Sequence, residues 1–237
     1  MRPLDIRFLA IAFQILCAWS SRVIAAPDEQ LIFQDDFHGK LGPGWSWVRE
    51  HREAWRATDD GLQIRIEPGN MWGPQNDGKN VLVRPAPAQD ANSSIEVSVT
   101  FQNQPTNQYE QVDLVWYFSD SNMVKLGEEL VDGKLSIVMG REEQDKTRTI
   151  AIIPLNSFRV RLKLSAENGR IRGHFQTPDK TDWHLAGECD LPSASGLKPK
   201  IAFQCYQGAP DVEHWAHISQ FRVARINRKT ISAPPHQ

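Results

Sequence analysis

Nearly every segment after residue 30 alternates apolar and polar positions with period two. Residues 61–68, "GLQIRIEP", set Leu62, Ile64 and Ile66 against Gln63, Arg65 and Glu67. Residues 93–101, "SSIEVSVTF", do the same with Ile95, Val97, Val99 and Phe101, and residues 158–166 with Phe158, Val160, Leu162 and Leu164. Successive side chains of a strand point to opposite faces, so each segment predicts a strand that covers a core on one side. Further strands are predicted over 112–118, 123–131, 135–140, 147–153, 170–176, 183–189, 200–206 and 217–226. Helix-period stretches are nearly absent. "ENGR" (167–170) and "DGK" (132–134) read as tight turns, because Asn, Asp and Gly accept positive φ at low cost. About a dozen strands separated by such turns predict two stacked antiparallel sheets. Residues 67–80, "EPGNMWGPQNDGKN", are too rich in Gly, Pro and Asn for a regular element and read as a binding loop.

The segment "YEQVDLVWYFSDSNMVKLGEELVDGK" (109–134) carries the densest polar pattern. Val112, Leu114, Trp116 and Phe118 form one face of its first strand and Asp113, Val115 and Tyr117 the other. After the turn "SDSN", Val124, Leu126, Glu128 and Leu130 oppose Lys125, Gly127, Glu129 and Val131. A hairpin register with both apolar faces inward brings Asp113, Tyr117, Lys125 and Glu129 together on a face expected to be open to solvent. Glu128 breaks the pattern, and alternation leaves open whether it lies at a rim or is buried and paired. In "IAFQCYQG" (201–208), Gln204 and Tyr206 lie opposite Phe203 and Cys205 and join the same face. An aromatic ring flanked by a carboxylate and an ammonium is chemistry suited to a saccharide surface; the plainer reading is a wet sheet face with cross-strand charge pairs. Trp47, Trp55, Trp116 and Trp183 fit core faces or strand ends. Trp72, in the 67–80 loop, and Trp215, beside His214, have no apolar periodicity around them and are the exposed candidates, unless each plugs an end of the sandwich.

The segments "DDFHGKLGPGWSWVREHREAW", "NVLVRPAP", "YEQVDLVWYFSDSNMVKLGEELVDG", "PKIAFQCYQG" and "ISQFRV" together resemble the concanavalin-A-like jelly-roll domains. That group includes the domain of unknown function 1349 and the C-terminal module of family 43 glycoside hydrolases of the β-xylosidase type. The likeness spans roughly residues 32–224. It implies an all-β fold: a two-sheet antiparallel jelly-roll sandwich of the concanavalin A-like lectin/glucanase type, with saccharide on its concave sheet or end loops. It also implies a structural calcium near Asp35 and Asp36, although Ser219 and Gln220 stand in the closing strand where an acidic pair would help. The alternative is that Asp35 and Asp36 merely begin a strand.

Residues 1–26 read as a secretory leader: Arg2 and Arg7 precede an apolar run from Phe8 to Trp19, and Val23-Ile24-Ala25 offers a cleavage site. Leu16 before Cys17 argues against lipidation. The expected organisation is this leader, one sandwich domain over 27–226 and a flexible tail over 227–237. It implies a monomer that is secreted or held in the periplasm or cell envelope, with no membrane span after cleavage. The full chain has 27 basic and 29 acidic residues. The leader contains Arg2, Arg7, Arg22 and Asp5, so its removal leaves the chain more acidic, which argues against a nucleic-acid partner. Of three cysteines only Cys189 and Cys205 then remain, to pair as a disulfide or to stay as buried thiols.

Catalysis finds little support in the pattern. A retaining glycosidase needs two carboxyl groups about 5 Å apart. Glu128 and Glu129 face oppositely, as do Glu110 and Asp113, so Glu129 would need a partner such as Glu50 or Asp113. His214 and His217 fall on opposite strand faces, unsuited to zinc. No phosphate loop or nucleophile elbow is present. The leading expectation is an exported, non-catalytic module that binds oligo- or polysaccharide. In it, Tyr117, Trp72 and Tyr206 stack on sugar rings, Glu129, Lys125, Asp113, Gln204 and His214 bond hydroxyls, and Trp215 is a further contact. The alternatives are a glycoside hydrolase using Glu129 and a cell-envelope structural or interaction domain.

Overall fold

The computed structural model describes residues 28–227. The leader expected over 1–26, and all of the expected tail except Asn227, lie outside the described residues. No helix there is long and apolar enough to cross a membrane.

The chain runs through β1 (Asp28–Asp35), β2 (Ser46–Val48), a 3-10 turn at Arg52–Ala54, β3 (Trp55–Thr58), β4 (Gly61–Arg65), β5 (Val81–Pro85), β6 (Ser93–Gln102) and β7 (Gln111–Ser119). There follow β8 (Asn122–Val131), β9 (Lys134–Glu143), β10 (Lys146–Pro154), β11 (Arg159–Glu167), β12 (Arg170–Gln176), β13 (His184–Asp190), β14 (Lys200–Tyr206) and β15 (Trp215–Asn227). They build two antiparallel sheets stacked as a jelly-roll sandwich. One has the order β13-β12-β11-β6-β15-β4-β3 with β1 beside β15; the other has the order β10-β9-β8-β7-β14-β5-β2. The Asn168-Gly169 and Asp132-Gly133 turns have the positive φ their residues suggested.

Between the sheets lie the apolar faces read from the alternation: Leu62 and Ile64, Ile95 to Phe101, Val112 to Trp116, Val124 and Leu126, and Val160 to Leu164 at their alternate positions. Each such aliphatic side chain contributes roughly 1.5–3 kcal/mol on burial. Phe37, Trp45, Phe203 and Phe221 pack together at one part of this core, with Phe203 and Phe221 edge to face at 5.4 Å. Glu128 follows the phase of Leu126 and enters the inter-sheet layer, fully buried, with neither carboxylate oxygen hydrogen-bonded. Burial holds its carboxyl well above the usual range. It is buried but not paired.

Of the two alternatives for Cys189 and Cys205, the structure shows the second: both are free, buried thiols. Trp183 stands at a strand end, directly before β13, with its ring on Arg161 and Lys163 at 5.6 and 4.8 Å. The Asp35 carboxylate is held by protein donors. Its Oδ1 accepts from the Phe37 amide, and its Oδ2 from the Gly42 amide and Trp45 Nε1, at 2.8–2.9 Å. No group of three or more His, Cys, Asp or Glu suited to a metal occurs among the described residues. Asp35 ties the loop that follows β1. Chelation with excess EDTA is expected to leave the thermal midpoint unchanged. A fall of several degrees in differential scanning calorimetry would show that a cation is needed.

Candidate functional site

The outward face of the β7–β8–β9 region carries the polar positions. Register pairs Gln111 with Glu129, Asp113 with Gly127 and Val115 with Lys125, while β14 sets Gln204 beside Asp113 and Tyr206 beside Gln111. The shared face expected for Asp113, Tyr117, Lys125, Glu129, Gln204 and Tyr206 is thus present. Its expected exposure is not. Asp113 and Gln204 are fully buried, and Lys125, Tyr117, Tyr206 and Glu129 are at most 8% exposed.

The cause is the loop over residues 67–80, which folds back across this face instead of standing away from it. The Asn70 side-chain carbonyl accepts from the Met71 and Trp72 amides, while the Asn70 amide bonds Asp77 Oδ1. Arg49 binds Gly78 O, Met71 Sδ and the Asp120 carboxylate. Met71 then joins Val81, Val83, Val115, Tyr117, Met123, Ala202 and Tyr206 in a second, smaller apolar cluster. Two glycines make room beneath. A side chain at Gly127 would collide with Asp113, and a Cβ at Gly140 would lie 2.5 Å from Trp72 Cη2. Trp72 therefore stands with its ring edge on Gly140, half-buried rather than free in solvent.

Lys125 is the centre of this polar layer. Its ammonium donates to Gln111 Oε1, to Glu129 Oε2 at 3.1 Å and to the Tyr206 hydroxyl at 3.4 Å. Asp113 Oδ2 lies 3.9 Å away, and the Trp72 ring centroid 4.9 Å. Asp113 has no hydrogen bond to either oxygen. Burial, opposed by Lys125 and reinforced by Glu129, pushes its carboxyl up to about 7. Glu142, in phase with Gly140 on β9, accepts from the Gly73 amide, and burial pushes it up to about 7 as well. Tyr206 is held well above the ordinary phenol range by burial and by Asp113.

Beside Trp72 this layer opens into a cleft of about 430 Å³ lined by Asn70, Trp72, Tyr109, Gln111, Lys125, Glu129, Val131, Asp132, Val138, Thr149, Ile152 and Gln207. Tyr109 and Ile152 are about half exposed, at 49% and 52%. Of the expected ligand residues, Trp72, Lys125 and Glu129 reach this cleft. Tyr117 does not: its hydroxyl donates to Asp120 Oδ1 at 2.9 Å beneath the loop, and burial raises it above its usual range. Asp113, Gln204 and Tyr206 lie below the cleft floor, not on its lining. His214 and Trp215 border a separate depression with Asn103, Gln104, Thr106 and Glu213. There His214 Nδ1 sits 3.0 Å from the buried Glu110 carboxylate, and Trp215 stacks under Arg56. Alternation could have reached Gln111 and Glu142, which continue the phases of Asp113 and Gly140. Tyr109 sits outside any strand at positive φ, where no pattern points to it.

No family model matches the chain, and no curated protein matches it. Solved structures do. The GH43 protein BlXynB from Bacillus licheniformis superposes with a TM-score of 0.69 at 18% identity, over 82% of this chain and 39% of that one. A xylan beta-1,4-xylosidase from Bacillus halodurans C-125 gives 0.68 at 16% identity, over 80% and 38%. The CBM2 module of the Lactobacillus casei BL23 phage J-1 evolved Dit gives 0.57 at 8% identity, over 86% of this chain and 99% of that module. The chain thus shares the β-sandwich fold of modules found in carbohydrate-active proteins, and spans well under half the length of the two Bacillus proteins. The resemblance to the domain of unknown function 1349 has no matching family model behind it.

Proposed function

We propose that this chain is an exported, non-catalytic module that binds a saccharide in the cleft beside Trp72. The observation that carries the reading is the composition of that cleft: two aromatic rings, Trp72 and Tyr109, stand over a floor of Gln111, Lys125 and Glu129. Rings supply flat apolar area for the C–H face of a sugar, and fixed polar groups on a rigid sheet orient its hydroxyls. The sandwich neighbours include glycoside hydrolase proteins and a carbohydrate-binding module, which supports a saccharide as the partner. Export of a monomer through the 1–26 leader belongs to the same proposal.

The hydrolase alternative meets a physical obstacle. Asp113, the carboxyl nearest Glu129 through Lys125, is sealed under the floor, and Glu50 is committed to Trp55 Nε1 at 2.9 Å away from the cleft. Neither of the partners expected for Glu129 therefore stands beside it on the cleft lining.

Retention of the mature chain on immobilised polysaccharides tests the proposal. Trp72→Ala and Tyr109→Ala, each checked for folding by circular dichroism, are expected to weaken binding by roughly tenfold, the loss of about one stacked ring. Binding that survives both substitutions unchanged would place the ligand elsewhere. Failure of the wild-type chain to bind any polysaccharide would favour a structural or protein-interaction role.

A further inference from the structure

Lys125 is the sole cation among the residues lining the cleft, and its charge is turned inward. An ammonium has three N–H donors. All three are engaged, by Gln111 Oε1, Glu129 Oε2 and the Tyr206 hydroxyl, and the side chain is 2% exposed. Two amides of the lining also bond to the protein: Asn70 Nδ2 donates to Trp72 O and Gln111 Nε2 to Tyr109 O.

The acceptors are disposed differently. Glu129 meets Lys125 through Oε2, leaving Oε1 for the cleft. Asp132 is exposed in the β8–β9 turn, and only its Oδ1 is bonded, by Gln108 Nε2 at 3.3 Å. Beneath the floor lie two more carboxyl groups, Asp113 and Glu142, and no second cation accompanies Lys125 there among the described residues. A ligand entering this cleft meets carboxylate acceptors and aromatic faces, while the ammonium is already neutralised by its own partners.

We infer that the cleft, read as the saccharide site proposed above, selects sugars without acidic groups. It accepts hydroxyl and ammonium donors and turns away uronic or sulfated residues. A ligand carboxylate placed near Glu129 and Asp132 would face two like charges with no free cation to offset them. At contact distance in water one such repulsion lowers affinity by roughly fivefold, and by more where solvent is displaced.

The test is a glycan array printed with β-1,4-linked hexamers of glucose, xylose and glucosamine and of glucuronic acid, probed with the mature chain at pH 7.5 and low salt. The uronic hexamer is expected to rank last. Uronic binding equal to or above the others overturns the selectivity while leaving saccharide binding intact; silence on every hexamer overturns the binding proposal itself and this inference with it. Asp132→Asn supplies the second arm. Residue 132 has φ 49°, which Asn tolerates as readily as Asp, and its side chain makes no contact with Lys125, so folding is preserved. The ratio of uronic to neutral binding is expected to rise roughly fivefold in this variant. An unchanged ratio would show that the exposed carboxylates do not set the preference.

Discussion

Replacing Lys125 with methionine is expected to lower the folding stability by about 3–5 kcal/mol at pH 8, the usual cost of stripping one partner from a buried ion pair. Methionine matches the length of the lysine stem and keeps contact with Trp72, so the change isolates the charge. With the ammonium gone, Glu129 loses its bond and Asp113 its only nearby cation among the described residues. Both carboxylates must then be ionised without compensation or take up a proton. Asp113 and Glu142 already bind protons up to about pH 7 in the native chain. The loss should therefore shrink at pH 5, where protonation removes part of the repulsion. Urea denaturation of wild type and Lys125→Met at both pH values measures this. An equal loss at pH 5 and pH 8 would mean that Lys125 acts through its hydrogen bonds to Gln111 and Tyr206 and not through the carboxylates.

The second large effect is a stability that falls as pH rises through the neutral range. In the unfolded chain Asp and Glu release their protons near pH 4. In the native chain Asp113 and Glu142 hold theirs to about 7, and Glu128 holds its proton well above the ordinary value. The folded state then binds more protons than the unfolded one, so the stability these groups confer is full below about pH 4 and is lost as pH climbs through about 7. Ordinary acid denaturation has the opposite slope, which makes the sign informative. Glu128 is the simplest contributor to remove, because its carboxyl has no hydrogen-bond partner and its neighbours across the strands are Val112 and Ile137. Glu128→Leu is expected to raise stability by about 1–3 kcal/mol at pH 7, or several degrees in the thermal midpoint for a chain of this size, and by more at pH 9. Thermal unfolding followed by circular dichroism from pH 4.5 to 9 checks both statements. A profile flat with pH, or a destabilised Glu128→Leu, would show that these carboxyl groups are solvated or paired.

Alternation along β6, β7, β8, β11 and β14 was legible because an apolar face must be buried and successive residues must point oppositely. The inter-sheet layer and the opposite polar face followed directly. Short strands were harder to read: β2 and β3 run for 3 and 4 residues, too few for a period to register. The positions of Asp113 and Lys125 were read to the correct face and given the wrong environment. Gln111 and Glu142 lay in the same phases, one and two residues beyond the limits assigned to their strands. Tyr117 and Trp72 show the same limit from two sides, since one was expected in solvent and is covered, and the other was expected free and is propped on Gly140.

By itself the sequence determined the strand pattern, the tight turns, the two-layer sandwich and the set of polar residues on its outward face. These depend on local φ preferences and on a repeat of two residues, both of which are written in neighbouring positions. Only the tertiary structure decided what covers that face: the 67–80 loop, tied down by Arg49 and Asn70, closes over most of it and leaves one cleft. Where a loop lands depends on contacts between residues far apart in the chain. No local periodicity encodes such contacts, so the difference between an open polar sheet and a buried lysine with its carboxylates could emerge only from the fold.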